Sequence, residues 1–344
     1  MSITRRWQRT SAMAAIGLGV SILTACGGGG GGESLAACPA EPDVDKAKEE
    51  GGLVVYTTIP EAQEERMVKA FNEKYPDVKV TVVRGAGELP ERVGAEAKSG
   101  SDGGDVFTFS DPAWFEKNEK DIIELGGPNV DAWPDDYWQV DSKAALSSMA
   151  PFGMIVWNTE KFPDGFKTWD DLLAPEVKGQ LGTRSDLTAA YAGFLDFMDE
   201  KLGEDYVEKL AAQKPKFYTS AVPMVQAVAS GEIGVTNLSV PVIVSSLQES
   251  GAPIEAVVPE PGYGIAFASG VLKNAHRPNA ACLYVDFILS EEGQAAYNGD
   301  GLGASALEDV EGSLSTDGLE IFDSSRYTPE RLAEMSKEFD KTFN

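Results

Sequence analysis

From about residue 50 onward, the apolar positions of the chain alternate between a period of two and a period near 3.6. "GLVVYTT" (52–58) is a short β-branched run. "PEAQEERMVKAFNEKYP" follows, opening with Pro60 and an acidic first turn, and its Met67, Val68, Phe71 and Tyr75 fall on one helical face. "VKVTVVRG" (78–85) reads as a second strand, "ELPERVGAEAKSG" as a helix and "GDVFTFSD" (104–111) as a third strand. Strand–helix–strand units of this length imply parallel pairing and an α/β sheet.

Past residue 147 the texture changes. "SSMAPFGMIVWNTEKF" contains an extended apolar run after Pro151, and "TWDDLLAPEVKGQLGTRSD" leads into the helical pattern "TAAYAGFLDFMDEKLG". "AVPMVQAVASGEIGVTNLS" reads as helix, turn and strand. "APIEAVVPEPGYGIAFASGVLK" is a second extended crossing, and "NAACLYVDFILSEEGQAAY" a helix beyond it. Two α/β blocks joined by two extended crossings make a two-lobed protein with a cleft. The expected first lobe comprises 50–151 and 261–302, and the second 152–260 and 303–344, with the tail packed back on the second. The crossings fall at 151–154 and 260–264, where Gly153, Gly262 and Gly264 suit backbone that absorbs rotation.

Composition narrows the function. With 42% hydrophobic and 24% charged residues, the 344-residue chain is that of an ordinary globular protein. Its net charge of −26 leaves no basic stripe for nucleic acid. The N-terminus departs from this composition. Arg5, Arg6 and Arg9 precede an apolar run from Ala12 to Leu23, too short for a membrane-spanning helix. Residues 1–25 are therefore expected to be a signal peptide. "Leu23-Thr24-Ala25-Cys26" resembles the bacterial lipobox, in which the cysteine is acylated and becomes the mature N-terminus. Six glycines follow, a tract that cannot pack, so 26–49 is expected to be a lipidated flexible tether. The protein is then exported and lipid-anchored to the outer face of the cytoplasmic membrane.

Only Cys38 and Cys282 remain, and in an exported protein two cysteines suggest one disulfide. Around the helix beginning near Asn279, the apolar stripe is Ala280, Leu283, Tyr284, Phe287 and Ile288. Cys282 falls opposite its centre, where an N-terminal segment carrying Cys38 could lap across.

"LVVYTTIPEAQEERMVKAFNEKYPDVKVTVVRGAGEL", "TWDDLLAPEVKGQLG", "VQAVASGEIGV" and "FILSEEGQAAY", in that order, resemble the bacterial extracellular solute-binding proteins of the ferric-ion, phosphonate and thiamine type, receptors of ABC importers. The resemblance spans roughly 52–306. It implies a type II periplasmic-binding-protein (Venus-flytrap) fold with two crossover hinge strands, a monomer that closes on a small solute and docks on a permease, with no cofactor. Ferric members of the family carry a histidine after the first strand, a glutamate after the third and adjacent tyrosines near Asn237. Here those places hold Pro60, Ser110, and Leu238 with Ser239. Ferric ion wants anionic oxygen donors, so it is retained only as an alternative with the irregular set Tyr191, Tyr218, Tyr263 and Asp111.

Enzymatic chemistry finds no support. The single histidine, His276, precedes a helix in "KNAHRPNA", and no nucleophile elbow, metal-spaced His/Cys cluster or phosphate-binding loop occurs. Asp170 and Asp171 fit a helix start. A sensor or structural surface lipoprotein is a remote alternative. The candidate binding residues lie at strand-to-helix junctions, where helix N-termini offer unpaired N–H groups. In the first lobe these are Thr57, Thr58, Gly87, Glu88, Ser110 and Asp111. In the second they are Arg184, Ser185, Ser220 and Asn237, with Phe152, Tyr191 and Tyr263, alongside Trp114, as aromatic walls. For each polar residue the plainer reading is a helix cap; for each aromatic, core; for Arg184, a surface pair with Asp186. Arg184 stands out because that junction in related receptors faces the cleft, and a guanidinium there can grip phosphonate or carboxylate.

Overall fold

The computed structural model describes residues 35–85 and 88–343. The expected signal peptide, Cys26, the glycine tract and Gly87 lie outside these residues. The segment expected to be tether throughout is helical at its end: α1 (Val44–Glu50) is capped by Asp43, whose carboxylate accepts from the Lys46 N–H.

The first lobe begins with β1 (Gly52–Thr57), α2 (Glu61–Lys74), β2 (Lys79–Arg84), α3 (Leu89–Ser99) and β3 (Val106–Phe109). Both β2 and β3 run parallel to β1. Nearly every position of β1 is buried, as in a strand covered on both faces, whereas the edge strand β2 alternates. In α2, Met67 and Phe71 are buried and the stripe continues through polar Gln63 and Glu64. Short helices α4 (Ala113–Lys117) and α5 (Pro128–Asp131) lead to β4 (Trp138–Val140) and β5 (Ala144–Pro151).

The chain then enters the second lobe through β6 (Ile155–Asn158) and continues as β7 (Leu181–Arg184), α6 (Ala189–Leu202), α7 (Tyr206–Ala212), β8 (Lys216–Tyr218), α8 (Ala221–Ala229), β9 (Val235–Thr236), α9 (Pro241–Glu249) and β10 (Ile254–Val257). Its sheet has the order β10-β6-β9-β7-β8, with β7, β8 and β9 parallel. Asp171 closes a capping box with Thr168 at a short 3-10 turn, as a helix-start acid should. β11 (Gly262–Val271) returns the chain to the first sheet, whose order is β2-β1-β3-β11-β5-β4. The fold is the mixed α/β, two-sheet, type II architecture, and each lobe has its own core.

Two expectations change in detail. The far helix is two: α10 (Pro278–Ile288) and α11 (Glu291–Asn298), separated where Ser290 caps the second by accepting from the Gly293 N–H at 3.0 Å. Every residue of α10 is buried, including Cys282, because α1 lies over its outer face and Cys38 is bonded to Cys282. Two of the crossing glycines also stand where a side chain would not fit. A Cβ on Gly153 would come within 2.6 Å of the Phe194 ring, and one on Gly264 within 2.9 Å of the Ala150 carbonyl.

The tail does not sit wholly on the second lobe. Ala304, Ala306 and Leu314 pack with the first core, and Ala304 exchanges backbone hydrogen bonds with Met149. β12 (Leu319–Ile321) then pairs in parallel with the start of β11, after which Phe322, Tyr327 and α12 (Pro329–Phe343) join the second core. The chain therefore crosses between the lobes a third time. The crossings meet around a cavity of about 200 Å³ lined by Pro151, Glu260, Gly262 and Leu319.

Candidate functional site

Parallel strands deliver their C-terminal ends to one edge of each sheet, so the junctions after β1, β2 and β3 share an edge, as do those after β7, β8 and β9. In the first lobe, Thr58 and Ser110 come together: the Ser110 N–H donates to Thr58 Oγ1 at 2.9 Å, and both residues are half-buried. Thr57 turns away. It is fully buried, its hydroxyl donating to Glu64 Oε1 at 2.6 Å and accepting from the Ile59 N–H at 3.0 Å, so it builds the junction rather than facing a solute. Asp111 accepts a hydrogen bond from the Ser324 hydroxyl. The Glu88 carboxylate lies against Gly85, where a Cβ would approach its Oε1 to 2.7 Å.

Sequence reasoning missed Arg84. Its Nε donates to the Ile59 carbonyl at 2.8 Å, placing an exposed guanidinium beside the β1–α2 junction. The available signal was its place as the last residue of the second strand, one before Gly85.

In the second lobe, Thr183, Tyr191 and Asn237 form a buried network. Tyr191 Oη and Thr183 Oγ1 are 2.6 Å apart, and Thr183 donates to Asn237 Oδ1 at 3.2 Å. Burial pushes the Tyr191 hydroxyl up to about 12 against the Thr183 hydrogen bond and the Arg184 backbone N–H. Asn237 Nδ2 is buried with no hydrogen-bond partner among the described residues. Arg184 grips Asp186 bidentately, Nε to Oδ1 at 3.0 Å and Nη2 to Oδ2 at 2.6 Å. Ser185 is exposed and bonds to the Tyr218 carbonyl, whereas half-buried Ser220 occupies the N-cap position of α8 without making a side-chain cap.

The aromatic walls differ from expectation. Tyr263 is buried against Phe194 and Phe197, Phe152 packs edge-on to Phe194 and Tyr263, and Tyr191 is buried near Phe339. These side chains leave the crossings and α6 to plug the second core. Half-buried Trp114 packs edge-on to Phe107 and Phe115.

Glu64 is the buried acid behind the first junction. Burial raises its pKa, opposed by hydrogen bonds from Thr57 and Tyr297 and by the charge of Arg84, and its Oε2 has no partner among the described residues. The native state thus keeps this proton to higher pH than the unfolded chain, so its contribution to stability falls as pH rises from the ordinary glutamate range toward the raised value. Glu64→Gln should raise the melting temperature at pH 7, with the gain shrinking as pH is lowered to 4. An equal shift at both pH values would refute the charge-burial account.

Residues 55–295 match the family described as bacterial extracellular solute-binding protein. The chain belongs to that family. This solute-binding protein is 30% identical over 269 residues to an uncharacterized protein of Haemophilus influenzae, covering 72% of this chain and 75% of that one. It is 25% identical over 295 residues to iron uptake protein A1 of Synechocystis, covering 76% and 78%. Its fold matches the substrate binding protein of an ABC transporter from Agrobacterium tumefaciens with a TM-score of 0.68 and 17% identity, over 90% of this chain and 99% of that one. Among the described residues, no helix is long and apolar enough to cross a membrane.

Proposed function

We propose that the chain is the solute-binding lipoprotein of an ABC importer, tethered through Cys26, which captures a small polar or anionic solute between its lobes and delivers it to permease subunits. The match to an ABC-transporter substrate binding protein supports the importer assignment. The observation that carries the anionic reading is the placement of Arg84 and Arg184 at the C-terminal ends of parallel strands in the two sheets. Ser110 follows β3 at the same edge of the first sheet, and Ser220 follows β8 at the same edge of the second and makes no side-chain cap. Thr58, Ser110, Arg184, Ser220 and Asn237 are the proposed contacts; Thr57, Asp111, Phe152, Tyr191 and Tyr263 shape the lobes behind them. Asp186 holds one edge of the Arg184 guanidinium, and Nη1 remains for a phosphonate or carboxylate. The protein binds its solute rather than transforming it.

Mass spectrometry of solute retained by the purified mature protein identifies the cargo. Arg184→Ala should then weaken an anionic solute by roughly ten- to hundredfold, the loss of one charge-assisted hydrogen bond. The melting temperature of the empty protein should hardly move. Unchanged affinity rejects the anion site and favours a neutral or cationic solute.

The similarity to iron uptake protein A1 favours ferric ion as a second reading. Against it, the oxygens of the irregular ligand set are engaged separately: Tyr191 with Thr183, Tyr218 with Glu232, and Asp111 with Ser324. Tyr263 is buried in the second core. Iron retained at one equivalent with tyrosinate absorbance would restore that reading.

A further inference from the structure

The third crossing does more than return the chain to the second lobe. Residues 320–331 are fastened along α6 by several polar links. Lys201 Nζ meets Glu320 Oε2 at 2.8 Å, Arg326 Nη2 meets Glu200 Oε1 at 2.7 Å, and the Tyr327 hydroxyl donates to Asp196 Oδ2 at 3.1 Å. Phe322 and Tyr327 are buried in the second core, and the Phe322 N–H donates to the Gly264 carbonyl at 2.8 Å. From Phe322 onward this segment therefore packs with the second lobe, while β12 just before it stays paired with β11 of the first sheet. In its middle, Ser324 reaches the first lobe. Its hydroxyl donates to Asp111 Oδ1 and accepts from the Ala113 N–H at 3.3 Å, and Ser324 is 8% exposed.

We infer that Ser324 is a positioning residue for the solute cleft: carried by the second lobe, it grips the β3–α4 junction of the first and holds the lobes in the arrangement seen here. The two bonds are made to the junction that also presents Ser110, one residue before Asp111. One partner is a carboxylate and the other a backbone donor at the start of α4, so the grip is charge-assisted and directional. Both bonds span separately packed cores, whereas the Arg326 and Tyr327 anchors on α6 lie within one. Rotation of the lobes must therefore break the Ser324 bonds before those of the anchors. Its consequence for solute affinity rests on the receptor reading above; the geometry does not.

The test uses the full chain with Cys26→Ser and no solute, spin-labelled through Lys98→Cys on the first lobe and Glu176→Cys on the second, both exposed. Double electron–electron resonance reads the distance distribution between the lobes. Ser324→Ala should deplete the population at the distance of this structure by roughly tenfold relative to the alternatives, the factor one charge-assisted hydrogen bond can support. Ser324→Thr should restore it. Asp111→Asn should shift the distribution the same way, adding little on top of Ser324→Ala, and it keeps the test alive if the alanine variant folds poorly. A distribution unchanged in both variants overturns the inference, whatever happens to the melting temperature, and reduces Ser324 to a helix cap. A protein that binds no anion would still show the predicted shift, so failure here and failure of the solute reading are distinct results.

Discussion

Replacing Cys38 and Cys282 together with alanine should lower the unfolding free energy by up to roughly 5 kcal/mol, with the melting temperature falling by about 5–10 °C. The bridge joins residues 244 apart in sequence, and the chain-entropy model assigns its largest stabilisation to loops of this length. The bridge also has a local duty. It fastens the segment that covers the outer face of α10, where Cys38 donates its backbone N–H to the Glu124 carbonyl at 2.8 Å. The other end of that segment is held by Glu50, whose carboxylate accepts from the Asn279 and Ala280 N–H groups at 3.2 and 2.8 Å and so caps α10. Without the disulfide, the Glu50 cap, the packing of α1 and the backbone bond to Glu124 remain to keep the segment down. Urea unfolding of the oxidised protein and the double variant gives the difference. Coincident midpoints, or two free thiols in the exported protein, would show that the bridge contributes nothing.

The early strand–helix alternation was legible because each element obeys a single period. β1 is continuously apolar, α2 carries Met67 and Phe71 four apart, and Pro60 marks the helix start. The covering of α10 was legible from the oddity of Cys282 off the apolar stripe. The third crossing was not. Between Ala304 and Leu319 the chain makes isolated bridges and turns, with no repeating apolar pattern to show which lobe it joins. At the site, short polar residues at strand ends could be placed at the right junctions. The direction of each hydroxyl could not, because Thr57 and Thr58 are adjacent and identical yet one faces Glu64 and the other Ser110. Aromatic residues were hardest. A tyrosine in a cleft wall and one in a core have the same neighbours in sequence, and only the packing of Phe194 and Phe197 assigns Tyr263 to the core. Arg84 was overlooked because an arginine at the end of an alternating edge strand reads as ordinary surface.

Asp105→Ala should destabilise the protein by about 3–5 kcal/mol, the cost of breaking a buried, hydrogen-bonded ion pair from one side. Asp105 is 0% exposed and sits just before β3. Its Oδ2 accepts from the Val54 N–H at 2.8 Å and from Arg277 Nε at 2.7 Å, while its Oδ1 accepts from the His276 and Arg277 N–H groups at 2.9 and 3.0 Å. One carboxylate thus joins β1, β3 and the turn that starts α10, and gives the segment around the lone histidine a structural reason for its conformation. Alanine would leave three backbone donors without their acceptor and strip Arg277 of its buried partner. Asp102, which bonds the other end of the same guanidinium, is exposed and cannot reach into the core to replace it. Arg277→Ala should cost less than Asp105→Ala, because it removes the cation and leaves the three backbone donors satisfied. Asp105 lies at the start of β3, and the candidate solute contacts lie past its end, so solute affinity measured on the folded fraction should be unchanged. Equilibrium denaturation of both variants decides the matter. A loss below about 1 kcal/mol for Asp105→Ala would mean that water replaces the carboxylate, and that the turn before α10 is held by the packing of α1 and the disulfide instead.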